Sequence, residues 1–178
     1  MTKETFEIRW VKGKPPTEGG YPGLKPRTEK ADGIISEYDV AVPMRDGVKI
    51  RINIFRPEKE GKYPVLIGWS PYGKHVNVKY AFFPKCGVSD ADQSKYCAFE
   101  APEPLYFCPN GYIVINADER GSWGSEGDLT LMSQQEAEDF YDLIEWAGTQ
   151  SWSNGKVGTT GVVGDNREGA KSNKDGSL

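Results

Sequence analysis

The chain has 178 residues, of which 37% are hydrophobic and 27% charged, enough apolar side chain for the core of one domain. The net charge is −4, and lysines and arginines are scattered among acidic residues, so no basic patch indicates a nucleic-acid partner. No apolar run is long enough to span a bilayer, and residues 1–14 do not form a signal peptide, so we predict a cytoplasmic protein without a membrane partner.

The first third of the chain is predicted to contain an arm and a hairpin. Prolines and glycines recur in residues 1–33 and favour an extended arm over helix or strand. Residues 34–44 and 48–55 then alternate apolar and polar side chains, a pattern typical of strands with one buried face. Asp46 and Gly47 provide the turn of an antiparallel hairpin.

Two continuous apolar runs, 63–69 and 111–118, predict strands covered on both faces in the middle of a sheet. The segment between them has no sustained periodicity, although a short helix over 104–108 fits its residues.

One amphipathic helix is predicted over 133–147, because apolar residues recur there at three- and four-residue steps. Ser133 and Glu136 have capping-box spacing, and Gly148 is placed to end the helix. A strand over 156–163 follows. Strand, helix and strand form a βαβ unit, so we predict an α/β sheet with an antiparallel start followed by parallel strands.

Neither a metal site nor a cofactor site is predicted. The chain has one histidine, His75, and three cysteines without a C-x-x-C pair, which does not fit a zinc site. Free or buried thiols are the favoured interpretation of Cys86, Cys97 and Cys108, with a Cys86–Cys97 disulfide as the alternative. The glycines of 158–164 are spaced three apart, unlike those of a dinucleotide loop, so no cofactor is expected.

Six short motifs carry a resemblance to a known family. They are 42–48 (VPMRDGV), 70–74 (SPYGK), 118–121 (DERG), 124–127 (GSEG), 136–139 (EAED) and 152–158 (WSNGKVG). In this order and spacing, from about Ser36 to Val162, the chain resembles the Xaa-Pro dipeptidyl-peptidase and cocaine-esterase group of serine hydrolases.

The resemblance implies the N-terminal part of an α/β-hydrolase sheet and acyl-transfer chemistry. In full-length members the substrate would be a small-molecule ester or a peptide. A tyrosine hydroxyl after the third strand supplies one oxyanion donor in this family, and the matching residue is Tyr72. Without the resemblance, Tyr72 would be interpreted as a turn aromatic that packs on the sheet.

The chain departs from the family pattern at the nucleophile. The family motif is Gly-x-Ser-Tyr-x-Gly; Gly161 and Val162 match its first two positions, and Val163 stands where the serine is expected. The acid and the base would lie beyond Leu178. We therefore expect an inactive fragment truncated after its fifth strand. A non-catalytic binding or regulatory remnant is the alternative, and a relocated nucleophile at Ser70 or Ser125 is disfavoured.

Three segments follow from this comparison. They are an arm (1–33), a partial α/β-hydrolase domain (34–163) and a non-homologous, disordered tail (164–178) without apolar periodicity.

Four other titratable residues receive structural roles. Asp118 and Arg120 are expected to form an ion pair that supports a loop. Asp139, in the first half of the helix, is expected to be solvated or locally paired. His75 is expected to be a surface or lining histidine and not the base.

Overall fold

A computed structural model describes residues 23–75 and 93–160. Within these residues six strands form one mixed sheet, in the spatial order β1-β2-β3-β5-β4-β6. The strands are β1 (Arg27–Ala31), β2 (Ile34–Pro43), β3 (Lys49–Pro57), β4 (Tyr63–Ser70), β5 (Ile113–Asp118) and β6 (Ser153–Thr160). Two helices accompany them, α1 (Pro104–Phe107) and α2 (Gln134–Thr149).

The pairing of the strands confirms the predicted class. β1, β2 and β3 form an antiparallel meander, and β5 joins β3 antiparallel. β4 then pairs in parallel with β5 on one side and with β6 on the other. The βαβ unit β5–α2–β6 therefore crosses over β4, and the antiparallel start leads into parallel strands.

The predicted hairpin is confirmed as β2 and β3. Val42 pairs with Ile50, and the Met44 N–H donates to the Val48 carbonyl over 2.8 Å to close the turn. A bulge interrupts β2, where the two residues between Glu37 and Val40 lie opposite a single residue of β3, Asn53. Because side chains alternate along a strand, this extra residue moves the following side chains to the opposite face.

The expectation that the extended arm continues to residue 33 is wrong for its last residues. Arg27–Ala31 forms β1 and pairs with β2, and Pro26 lies just before the strand, where its missing N–H costs no ladder bond. Asp32 and Gly33 both have positive φ, 55° and 78°, as the two-residue turn of a hairpin requires. This Asp-Gly pair was the signal that could have predicted the strand. Residues 1–22 of the arm lie outside the described part of the chain.

Each face of the sheet carries its own apolar cluster. On one face, side chains from four strands pack against Leu143 and Ala147 of α2; they include Ile50, Ile52, Ile54, Val65, Ile67, Ile113 and Ile115. On the other face Phe55 and Val114 contact Tyr96 and Cys108. All six residues of β5 are buried, as expected for a strand covered on both faces.

The helix α2 begins as predicted. The Ser133 hydroxyl accepts from the Glu136 N–H over 3.2 Å, while the Glu136 carboxylate accepts from the Met132 N–H. The helix does not end at Gly148 but continues to Thr149.

Across residues 23–75 and 93–160, no helix is both long and apolar enough to cross a membrane. The cytoplasmic location stays a prediction. The segment boundary at 163 also stays a prediction, because residues 161–178 lie outside the described ranges.

Candidate active site

The carboxyl ends of β4 and β5 meet at one edge of the sheet. The chain leaves β4 towards β5 on one side, and after β5 it returns to β6 on the other side of β4. Connections that diverge in this way open a crevice at the strand ends, which is where open α/β sheets bind ligands. The two loops at this edge are 71–75 after β4 and 119–127 after β5.

Tyr72 is held at this edge by a tight turn. Its N–H donates to the Ser70 hydroxyl over 3.1 Å, and its ring contacts the ring of Phe99 edge-on at 4.9 Å. The next residue, Gly73, has a φ of 92°, and a Cβ there would lie 2.3 Å from the indole nitrogen of Trp123. Only glycine fits this approach. Tyr72 remains 39% exposed at this edge of the sheet.

A buried ion cluster lies directly behind this turn. The Lys74 ammonium is fully buried and is 2.7 Å from Asp118 Oδ2, 2.9 Å from Asp39 Oδ1 and 2.7 Å from His75 Nε2. The other oxygen of Asp118 accepts from the Lys74 backbone N–H over 2.8 Å. An ammonium carries three N–H donors, and among the described residues that of Lys74 is hydrogen-bonded to Asp118 and His75 and ion-paired with Asp39.

The bulge of β2 places Asp39 in the cluster. Asp39 has a φ of 55°, and its N–H donates to the Asn53 side chain over 3.1 Å. Burial alone would raise the pKa of Asp39, but hydrogen bonds from the Lys74 ammonium and the Lys25 N–H outweigh burial and hold the pKa below its usual value. Asp39 is therefore ionised opposite Lys74.

His75 is the neutral member of the cluster. Burial lowers the pKa of His75, and the neighbouring Lys74 charge lowers it further. An ammonium can only donate, so His75 Nε2 must be the acceptor and Nδ1 carries the proton. The expectation of a lining histidine is compatible with this position, since the side chain is 21% exposed.

A second buried pair joins the loop after β5 to α2. The Arg120 guanidinium donates to both oxygens of Asp139 at 2.6 Å, and its remaining nitrogen lies 2.9 Å from Asp46 in the β2–β3 turn. The hydrogen bond to Asp139 raises the pKa of Arg120. The expected Asp118–Arg120 ion pair is thus wrong, because the two side chains bind different partners. Of the two roles expected for Asp139, solvated or locally paired, the structure shows a paired one, because its fully buried carboxylate binds Arg120.

Comparison with known proteins identifies the family. Residues 46–163 match the family described as X-Pro dipeptidyl-peptidase (S15 family). The chain belongs to the S15 family. Cocaine esterase of Rhodococcus sp. (strain MB1 Bresler) is 32% identical over 124 residues, which are 70% of this chain and 18% of that protein. A putative Xaa-Pro dipeptidyl-peptidase of Bacillus anthracis is 29% identical over 143 residues, covering 66% of this chain and 23% of that protein.

Solved structures agree with this assignment. A CocE/NonD family hydrolase from Staphylococcus aureus superposes with a TM-score of 0.64 and 41% sequence identity, covering 78% of this chain and 26% of that one. The S15 chain thus spans about a quarter or less of these relatives. Its sheet matches the N-terminal portion of an α/β hydrolase, as predicted.

Of the two site positions predicted for the S15 chain, the structure describes Tyr72, while Val163 lies outside the described residues. The two serines considered as relocated nucleophiles have structural hydrogen bonds. The Ser70 hydroxyl accepts from Tyr72, and the Ser125 hydroxyl donates to the Asp118 carbonyl over 2.6 Å and accepts from the Arg51 N–H.

Residue-by-residue reasoning missed the Lys74–Asp39 contact. Its signal was an acidic residue, Asp39, inside the apolar alternation of β2.

Among the described residues no group of three or more His, Cys, Asp or Glu side chains could hold a metal ion. Cys97 and Cys108 are free thiols, and Cys86 lies outside the described residues.

Proposed function

We propose that this chain is the part of an ester- or amide-hydrolysing enzyme that carries the oxyanion donor Tyr72, and that the chain itself does not turn over substrate. Family membership supports the first half, since relatives named as an esterase and as a dipeptidyl-peptidase both carry out acyl transfer. A small-molecule ester or a short peptide is the substrate class that fits both kinds of relative.

The position of Tyr72 is the observation that carries the proposal. Acyl transfer passes through a tetrahedral intermediate, whose oxyanion is stabilised by donors that are already in place. The Tyr72 phenol follows a buried strand, is fixed by Ser70 and Phe99, and stays 39% exposed. A rigid neutral donor of this kind contributes about 3 kcal/mol to the transition state.

Val163 is the reason to expect no turnover. A valine side chain has no oxygen with which to attack a carbonyl, and the Ser70 and Ser125 hydroxyls are already hydrogen-bonded within the fold. The one histidine does not substitute as a base, because the nitrogen of His75 that would accept a proton accepts from Lys74 instead.

A fluorophosphonate probe tests the absence of turnover. The purified chain is expected to remain unlabelled and to hydrolyse neither p-nitrophenyl acetate nor Ala-Pro-p-nitroanilide above the buffer rate. Labelling of the unaltered chain would show that another residue serves as nucleophile. Labelling that appears only after Val163→Ser would identify position 163 as the nucleophile position.

The oxyanion role of Tyr72 is tested in a chimera. Residues 46–160 of this chain replace their counterparts in the S. aureus CocE/NonD hydrolase, and Tyr72→Phe is then introduced. We expect kcat/KM to fall about 100- to 1,000-fold, the loss typical of one oxyanion donor. Tyr106→Phe is the control, since Tyr106 is 65% exposed on α1. Equal activity of the two variants would refute the role of Tyr72.

The alternative, a non-catalytic binding or regulatory protein, stays a prediction. Capture of one defined partner by the purified chain, at a stoichiometry of one to one, would favour it over a part of an enzyme.

A further inference from the structure

The proposed chemistry makes no direct use of the buried cluster behind the Tyr72 turn. The Lys74 side chain and the Asp118 side chain are fully buried, and that of Asp39 is 2% exposed. Burying one ammonium with two carboxylates is costly unless each charge is paired and hydrogen-bonded. A polar cluster in this position therefore calls for a role beyond stability.

We propose that Lys74 is a positioning residue, whose ammonium locks the turn that carries Tyr72 to β2 and β5. The inference depends on the proposed oxyanion role of Tyr72, because it assigns to Lys74 the rigidity which that role requires.

Asp118 holds Lys74 at two points. Its Oδ1 accepts from the Lys74 backbone N–H over 2.8 Å, and its Oδ2 accepts from the ammonium over 2.7 Å. Since both ends of the lysine residue bind one carboxylate at the end of β5, the main chain at position 74 can neither rotate nor shift along the strand axis without losing a charged hydrogen bond. Tyr72 lies two residues earlier.

Asp39 provides an anchor from a different strand. The bulge of β2 turns this residue out of the regular alternation and brings its Oδ1 to 2.9 Å from the ammonium. Asp39 is itself fixed by two backbone contacts, since its N–H donates to Asn53 and its Oδ2 accepts from the Lys25 N–H over 2.8 Å. Lys74 is thus tied to two strands that are not adjacent in the sheet.

The residue between Tyr72 and Lys74 transmits this restraint. Gly73 has a left-handed φ of 92° and lies against the Trp123 indole, so little space is left for the turn to rearrange. On the other side of Tyr72, the Ser70 hydroxyl and carbonyl accept from the N–H groups of Tyr72 and Gly73 at 3.1 and 3.4 Å. The anchor at Lys74 and the bonds to Ser70 together fix where the phenol lies.

The test uses the full chain with 3-fluorotyrosine at position 72 and reads its ¹⁹F resonance. Lys74→Met removes the ammonium but leaves two buried carboxylates facing each other, so this variant can fail to fold. Lys74→Met combined with Asp39→Leu removes one charge of each sign and keeps the net charge of the cluster. Lys62→Met, at an exposed lysine, is the matched control.

We expect the fluorine resonance at position 72 to move to the shift of free fluorotyrosine in the folded Lys74 variants and to stay unchanged in Lys62→Met. A fluorotyrosine at Tyr106 is expected to report no change in any variant. An unchanged signal at position 72 in a folded Lys74 variant would overturn the proposal. Unfolding of both Lys74 variants would overturn it too, because Lys74 would then support the whole fold and not the turn.

This outcome is separable from the chimera experiment. The fluorine signal measures whether Lys74 orders Tyr72, whereas the Tyr72→Phe chimera measures whether Tyr72 contributes to hydrolysis. A loss of order at position 72 together with an active Tyr72→Phe chimera would refute the proposed function alone.

Discussion

Two carboxylates of α2 that differ mainly in burial allow a direct test of how the site is supported. Asp139 and Asp142 lie three residues apart on the same helix, and each binds an arginine from outside the helix through both oxygens. Asp139 is fully buried opposite Arg120, whose side chain is 10% exposed. In the other pair the Arg45 side chain is 48% exposed. We consider Asp139→Asn and Asp142→Asn.

The expected losses in the free energy of unfolding differ, because water can solvate the arginine left unpaired in the exposed pair but not the one in the buried pair. Breaking a buried pair costs about 3–5 kcal/mol, since the remaining charge is left without its partner. Asp46, 2.9 Å from Arg120, offsets part of that cost, so we expect about 3 kcal/mol for Asp139→Asn. The exposed pair is worth about 0.2–1 kcal/mol. Aspartate and asparagine have similar helix propensity, so that contribution is the same in both variants.

Urea unfolding followed by far-ultraviolet circular dichroism measures both variants. A gap of about 2 kcal/mol corresponds to a roughly 30-fold difference between their unfolding equilibrium constants. Equal losses would refute the reasoning, because they would mean that Arg120 in the unaltered protein is as well solvated as Arg45. A loss below about 1 kcal/mol for Asp139→Asn would show that Asp46 replaces Asp139 completely.

Two further changes test the Tyr72 turn. Gly73→Ala is expected to cost about 2 kcal/mol or more in thermal unfolding, because it adds steric conflict with Trp123 to a left-handed backbone. Gly47→Ala, also at positive φ but with open space around its Cβ, should cost only about 1 kcal/mol; equal losses would show that the indole moves aside freely. The second change concerns pH. His75 is neutral in the fold and takes up a proton on unfolding, so stability should decline as pH falls from 7.5 to 5.5. His75→Asn should remove this slope in urea titrations, and a slope that persists would assign the proton uptake to another group.

The elements that could be predicted from the sequence are those whose pattern is local. β5 was visible as an apolar run and α2 as a three- and four-residue repeat with a capping box, because burial on these elements repeats within a few residues. β1 has no such pattern, since four of its five residues are exposed. Its remaining signal was the Asp-Gly turn at residues 32 and 33, the same dipeptide that indicated the neighbouring hairpin.

The site was predictable only in part. The turn of Tyr72 follows from its motif, but the Lys74–Asp118 contact joins residues 44 positions apart, and no periodicity reports such a pair. Asp39 reaches Lys74 only because of the bulge, and a regular strand would have been the default expectation. The partner of Asp139, Arg120, could not be predicted for a related reason: a helix position alone does not say which loop will cover it.

The order of strands in the sheet also sets a sequence of events during synthesis. β1, β2 and β3 pair with one another as soon as they leave the ribosome, whereas β4 pairs only with β5 and β6, which are both made later. At about 5–20 residues per second, the apolar β4 waits roughly 2–10 s between its own completion and that of β5. β4, which has parallel neighbours on both sides in the finished sheet, is therefore the strand that a nascent chain exposes without a partner. A ribosomal pause between the codons for Ser70 and Asp118 would lengthen that exposure.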